Sequence, residues 1–120
     1  MFDDGTTRPE SEGGPYARAI EYSIDLRRKT ISKAWEFRPR KDLRCQEGGS
    51  ARRLKNGNTV VDFGASNLAV KHVIEAGKES NALVADLSVS TGVANAEFLV
   101  YRAVPIDSIL GEASTAPAVS

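Results

Sequence analysis

Few side chains in this sequence carry the chemistry to attack or hold a substrate. There is one histidine, His72, and one cysteine, Cys45. A neutral imidazole is a nucleophile or a general base, so His72 is the only candidate for imidazole chemistry. Its plainer reading is a strand residue between Val70 and Ile74, partly buried and hydrogen-bonded. One Cys and one His do not make a zinc site, and a lone Cys has no internal disulfide partner. Asp3, Asp4 and Asp62 suggest a cation site, but carboxylates at strand ends more often accept bonds from turn amides. Arg52, Arg53 and Lys55 form a small basic cluster whose simplest reading is a solvated strand end. Gly48-Gly49 is not followed by Lys-Ser/Thr, so it is no phosphate loop. The residues point to no metal and no cofactor.

The totals narrow the classes further. The chain has 120 residues, with 16 basic and 16 acidic side chains. That length is one domain's worth, and the 41% hydrophobic fraction is adequate for a globular core. Balanced charge leaves no overall footprint for nucleic acid or an anionic membrane. No run of ~18 apolar residues is present, so no membrane span is expected. The first residues lack a basic n-region and an apolar h-region, so no signal peptide is expected.

The elements that must position these residues are strands. Residues 17–25 alternate, with Ile20, Tyr22 and Ile24 on one face and Glu21, Ser23 and Asp25 on the other. Leu26-Arg27-Arg28-Lys29 is a polar turn. Residues 30–38 alternate again, with Ile31, Lys33, Trp35 and Phe37 expected on one face and Pro39 as the stop. Trp35 and Tyr22 are most simply packing aromatics. Asn56-Gly57 joins strands 49–55 and 59–64, since that dipeptide suits a tight hairpin turn. Strand character returns at 69–76 and at 82–89, where Leu83, Ala85, Leu87 and Val89 are in phase. These two segments are too short to favour a helix. The apolar run 97–106 reads as a last strand. The tail from Glu112 is rich in Ala, Ser, Thr and Pro and is expected to be disordered.

One echo organises these strands. Met1-Phe2-Asp3-Asp4-Gly5 resembles Val60-Val61-Asp62-Phe63-Gly64, the end of the Asn-Gly hairpin. The chain is therefore expected to begin inside a structural repeat, with the front of the first hairpin before residue 1. Repeated antiparallel meanders suggest blades of a β-propeller, which needs ~4–8 of them to close. The expected fold is all-β, a partial propeller of about one and a half blades. Residues 1–16 would end a preceding strand and form a loop, 17–64 would be one four-stranded blade, 69–108 a partial blade and 109–120 a tail. A small stand-alone β-sandwich is the alternative.

Four stretches, in this order, resemble the C-terminal part of the bacterial arylsulfotransferases, six-bladed propeller enzymes that use no nucleotide sulfate donor. Phe2-Asp3-Asp4-Gly5-Thr6-Thr7-Arg8-Pro9 is similar to the family's Phe-Asp-Asn-Gly turn followed closely by Arg. Tyr16-Ala17-Arg18-Ala19-Ile20-Glu21-Tyr22-Ser23-Ile24-Asp25 is similar to its Tyr-Ser-Arg, Glu-Tyr, Asp strand. Ala34-Trp35-Glu36-Phe37 resembles Val-Trp-Glu-Tyr, and Val100-Tyr101-Arg102-Ala103 resembles a Tyr-Arg-Ala near the family's end. The resemblance covers roughly residues 1–110, with Asp4 standing where the family has Asn.

The resemblance implies transfer of a sulfuryl group from a phenolic sulfate ester to a phenol through a covalent sulfohistidine. A periplasmic or secreted parent is implied with it. Arg8 is the implied sulfate contact, since a guanidinium offers two parallel N–H bonds to two oxygens. Arg18 would support it, although structural pairing is the plainer role for both Arg18 and Arg102. His72 lies outside the matched motifs, and the family's nucleophilic His precedes the Phe-Asp-Asn-Gly turn. A chain with one His cannot supply several active-site imidazoles, so little activity is expected of it alone. A rival reading is a non-catalytic propeller fragment that binds or assembles. It would pair through open strand edges with the remaining blades or with itself.

Overall fold

A computed structural model describes residues 1–79, 82–93 and 96–106. Those residues are all-β except for one 3-10 turn at Glu10–Glu12. The strands are β1 (Phe2–Asp3), β2 (Arg18–Asp25), β3 (Thr30–Phe37), β4 (Ser50–Arg53), β5 (Thr59–Asp62), β6 (Lys71–Ala76) and β7 (Leu83–Val89). They form two antiparallel sheets, β1-β2-β3 and β4-β5-β6-β7. The strands expected over 17–25, 30–38, 49–55, 59–64, 69–76 and 82–89 are all present, each trimmed by one to three residues.

Their grouping differs from chain order. Strands from 17–64 do not share one sheet. The charged connection 38–49 separates β3 from β4, and the Asn-Gly hairpin continues through β5 into β6 and β7. The echoing segments nevertheless hold corresponding places. β1 and β5 each lead through a longer connection into the first strand of a tight hairpin, β2-β3 or β6-β7.

Two bulges alter the expected faces. In β3, Trp35 pairs with Glu21 and Lys33 with Tyr22, so Ala34 is an extra residue. An unpaired residue of this kind shifts the alternation by one. Trp35 and Phe37 therefore share the core face with Ala19, while Ile31 and Lys33 join Tyr22 and Ile24 on the opposite face. Lys33, the one charged residue expected among Ile31, Trp35 and Phe37, stands where the alternation breaks. In β7 the same device at Val84 places Leu83 opposite Ala76, out of phase with Ala85 and Leu87.

The sheets meet through Ala17, Ala19 and Phe37 on one side and Val61, Ile74 and Ala76 on the other. Leu43, Cys45 and Phe63 fill the remaining core. Phe2 and Phe63, from the two echoing segments, touch edge to face with ring centroids 5.6 Å apart. Arg53 is not simply a solvated strand end. Its guanidinium pairs with Glu21 of the other sheet, lies over Trp35, and donates to the Gly57 carbonyl.

Residues 97–106 are not a strand. They cross the end of the second sheet, where only single bonds are offered. The Val100 N–H donates to Gly64 O at 3.1 Å, and the Ala103 N–H to Ser50 Oγ at 3.3 Å. Pro105, with no N–H, further limits a ladder. Arg102 is exposed there and not buried in a pair. The tail 109–120 lies outside the described residues. The crossing explains Gly64: a Cβ there would sit 2.1 Å from the Val100 carbonyl oxygen. Gly64→Ala should therefore displace this segment at a cost of about 1–3 kcal/mol, as an overpacked contact does. Urea unfolding and amide exchange at Val100 check this; unchanged protection of Val100 would contradict the crossing.

Candidate oxyanion-binding arginine cluster

The site grows from the end of β1. Asp3 lies opposite Arg18 in the β1–β2 ladder, so backbone pairing alone brings these charges together. Asp3 Oδ2 accepts from Arg18 Nε at 2.7 Å and from Arg8 Nη2 at 2.6 Å. One carboxylate oxygen thus bridges two guanidiniums. The other oxygen accepts the Gly5 N–H at 3.0 Å, the turn bond expected of a strand-end Asp.

Arg8 closes the connection between β1 and β2. Its backbone N–H donates to Gly5 O at 3.0 Å, and Nη1 donates to Tyr16 O at 2.8 Å. Its side chain is only 8% exposed. Gly5, at φ +65°, makes room: a Cβ would stand 2.3 Å from Tyr16 O and 2.5 Å from Arg8 Nη1. The guanidinium carbons of Arg8 and Arg38 lie 3.9 and 3.5 Å from the Tyr16 ring centroid. At such distances two cations cannot share one face, so they cover the ring from both sides.

Arg18 is the first residue of β2, as the alternation over 17–25 expects. Besides Asp3 it reaches Glu36 Oε1 at 3.1 Å, and Lys33 bonds the other Glu36 oxygen. The bulge at Ala34 permits this, because residues 33 and 36 would otherwise face opposite sides. A ladder Arg8–Asp3–Arg18–Glu36–Lys33 results, more cationic than anionic. It borders an open cleft of about 550 Å³ whose charged lining is Lys33, Glu36, Arg38 and Glu79, with Trp35 and Phe37 beside them. Arg18 Nη2 and Arg8 Nε make no hydrogen bond among the described residues. These N–H groups are what the ladder can offer a tetrahedral or planar oxyanion.

Arg8 and Arg18, both singled out in the sequence, are thus brought together. Asp3, Tyr16, Glu36 and Arg38 complete the cluster and were missed in that role. Only the Trp35-Glu36 motif hinted at it in the sequence. His72 is not in the cluster. It sits on β6, its Nδ1 2.9 and 3.1 Å from the two Asp86 oxygens on β7. That is the partly buried, hydrogen-bonded strand residue anticipated as its plainer role. Cys45 is buried in the core, and burial first, then Asp62 and Asp4, pushes its thiol up to about 12. A thiol so placed stays protonated and inert at neutral pH.

The echoing carboxylates titrate in opposite directions. Burial alone would raise Asp3, but the Arg18 hydrogen bond and the Arg8 and Arg18 charges outweigh it and lower its pKa. Glu36 is lowered likewise: bonds from Lys33 and Arg18 exceed the effect of burial. Asp62 is fully buried without an arginine; burial raises its pKa, only partly opposed by the Gly64 amide. Neither Asp62 oxygen has a hydrogen bond of good geometry among the described residues.

The signs follow from linkage. Asp3 and Glu36, depressed when folded, stabilise fully above the unfolded carboxylate range of about 4, and this is lost as pH falls below it. Asp62, raised when folded, contributes most below about 4 and loses it as pH rises toward its folded pKa. Asp3→Asn should cost about 1–3 kcal/mol at pH 7, because two largely enclosed arginines lose their shared anion. Asp62→Asn should stabilise the protein at pH 7 and flatten its decline as pH rises above about 4. Urea unfolding from pH 3 to 8 reads both; equal shifts of the same sign in the two variants would contradict these environments.

The chain matches no curated protein and no solved structure. The family described as Arylsulfotransferase (ASST) matches residues 1–102, which include all of β1 to β7, the arginine ladder and Val100. Over that extent the match decides the family: this chain belongs to the arylsulfotransferases.

Proposed function

We propose that the chain supplies an arginine-lined, sulfate-binding wall of an arylsulfotransferase that moves a sulfuryl group from a phenolic sulfate ester to a phenol. The observation that carries this reading is the pair of guanidiniums oriented by the single oxygen Asp3 Oδ2. Arg18, more open than Arg8, is the sulfate contact; Arg8 and Asp3 position it. In the reaction an imidazole nitrogen attacks sulfur and the donor phenolate leaves. The acceptor phenol then attacks the sulfohistidine sulfur and frees the imidazole, and its proton ends on the departed donor phenolate, which leaves as the phenol. Preorganised N–H groups meet the charge on the three equatorial oxygens without reorganising. The two sheets are read as adjoining propeller blades.

The nucleophile in this proposal is not His72, whose Nδ1 is held by Asp86 in the second sheet. The second reading, a non-catalytic module that pairs with further blades or with itself, draws on β7, where Leu83, Val84 and Leu87 are each more than half exposed.

One preparation tests both readings. The chain with a phenolic sulfate and a phenol should turn over near background, unchanged by His72→Ala. Inorganic sulfate should bind, and Arg18→Ala should weaken it about tenfold, the worth of one charge-assisted hydrogen bond. Robust turnover lost on His72→Ala, or sulfate affinity indifferent to Arg18→Ala, would overturn the proposal. A clean monomer in sedimentation would remove the assembly reading.

A further inference from the structure

The chain's balanced charge conceals a local asymmetry in the β2–β3 hairpin. From Tyr22 to Lys33 every residue except Asp25 is exposed, so the outer hairpin stands clear of the body. Its two faces are unlike. Ser23 pairs with Ser32 on one, and Ile24 with Ile31 on the other, beside Tyr22. Leu26 leads at the apex, 83% exposed, with Ile31 at 68% and Ile24 at 62%. The turn is ordered: Asp25 Oδ1 accepts the N–H groups of Arg27 and Arg28 at 3.0 Å each. Arg27, Arg28 and Lys29, all exposed, follow Leu26 directly; Arg28 Nε lies 3.9 Å from Asp25 Oδ2, the only carboxylate between residues 22 and 33.

We propose that this hairpin tip docks on an anionic lipid bilayer surface, Leu26 entering first and the basic collar meeting the phosphates. At ~3.3 Å per residue, the Ile24–Ile31 pair lies ~7 Å behind Leu26. That matches the ~5–10 Å to which interfacial segments bury their apolar face. Charge complementarity separates this occupant from an ordinary protein partner. The other exposed apolar strand, β7, carries no basic residue and one acid, Asp86, and so lacks such a collar. Nothing here depends on the sulfotransferase reading.

Cosedimentation of the full chain with vesicles tests the proposal. Binding is expected to phosphatidylglycerol–phosphatidylcholine vesicles and not to phosphatidylcholine alone, and it should weaken with salt. Each basic residue at an anionic surface is worth roughly fivefold in partitioning, so the double variant Arg27→Glu/Arg28→Glu should lose at least ~25-fold. Leu26→Ser should also release the protein, and Arg102→Glu, an exposed change elsewhere, should not. Circular dichroism verifies that each variant folds. Absence of binding to anionic vesicles, equal binding to neutral ones, or an unaffected double variant would overturn the proposal. So would lipid-free self-association abolished by Leu26→Ser, which would make a second copy the occupant.

Discussion

A single carboxylate oxygen, Asp3 Oδ2, is shared by Arg8 and Arg18, and the first sheet depends on it. β1 is only two residues long and cannot hold itself by ladder bonds. Its neighbours help: the Met1 amine and carbonyl both bond to Ile20. The connection from Asp4 to Ala17 must still be closed, at a cost in chain entropy. Arg8 closes it by reaching Asp3 at one end and the Tyr16 carbonyl at the other. Arg18 ties the same Asp3 to Glu36 on β3, so one anion links three strands and a loop. Such a network costs desolvation as well as supplying attraction, so what it secures first is the geometry of the three strands and the loop.

The second echo shows what happens without the arginines. Asp62 ends β5 as Asp3 ends β1, yet it is buried and unbonded, and beside it Val100 crosses Gly64 in a gap that admits no side chain. The same local segment, a strand end with an Asp before a Gly, serves as an ion-pair hub in one sheet and a packed crossing in the other. Sequence repetition preserved the backbone course and left the chemistry to the partners.

The strands were legible because their alternation is local. Ile20-Glu21-Tyr22-Ser23 and the Asn56-Gly57 turn state their geometry without reference to the rest of the chain. The bulges at Ala34 and Val84 were not legible, since an extra residue shows only against its partner strand. The same holds for the division of strands into sheets, which depends on how connections 38–49 and 64–70 fold back. Residues 97–106 were mistaken for a strand because apolar alternation cannot tell a sheet edge from a crossing. Arg8 and Arg18 were found through motifs, but their enclosure followed from Asp3, which had been read as a turn residue. Its strand register with Arg18 was the missing information.

Arg8 and Arg18 act through one shared anion, Asp3. A double-mutant cycle of Arg8→Ala and Arg18→Ala, read by urea unfolding at pH 7, measures this directly. Coupling through Asp3 predicts that the two losses depart from additivity by more than about 1 kcal/mol. Losses that add to within about 0.3–0.5 kcal/mol would show two independent arginines and contradict it.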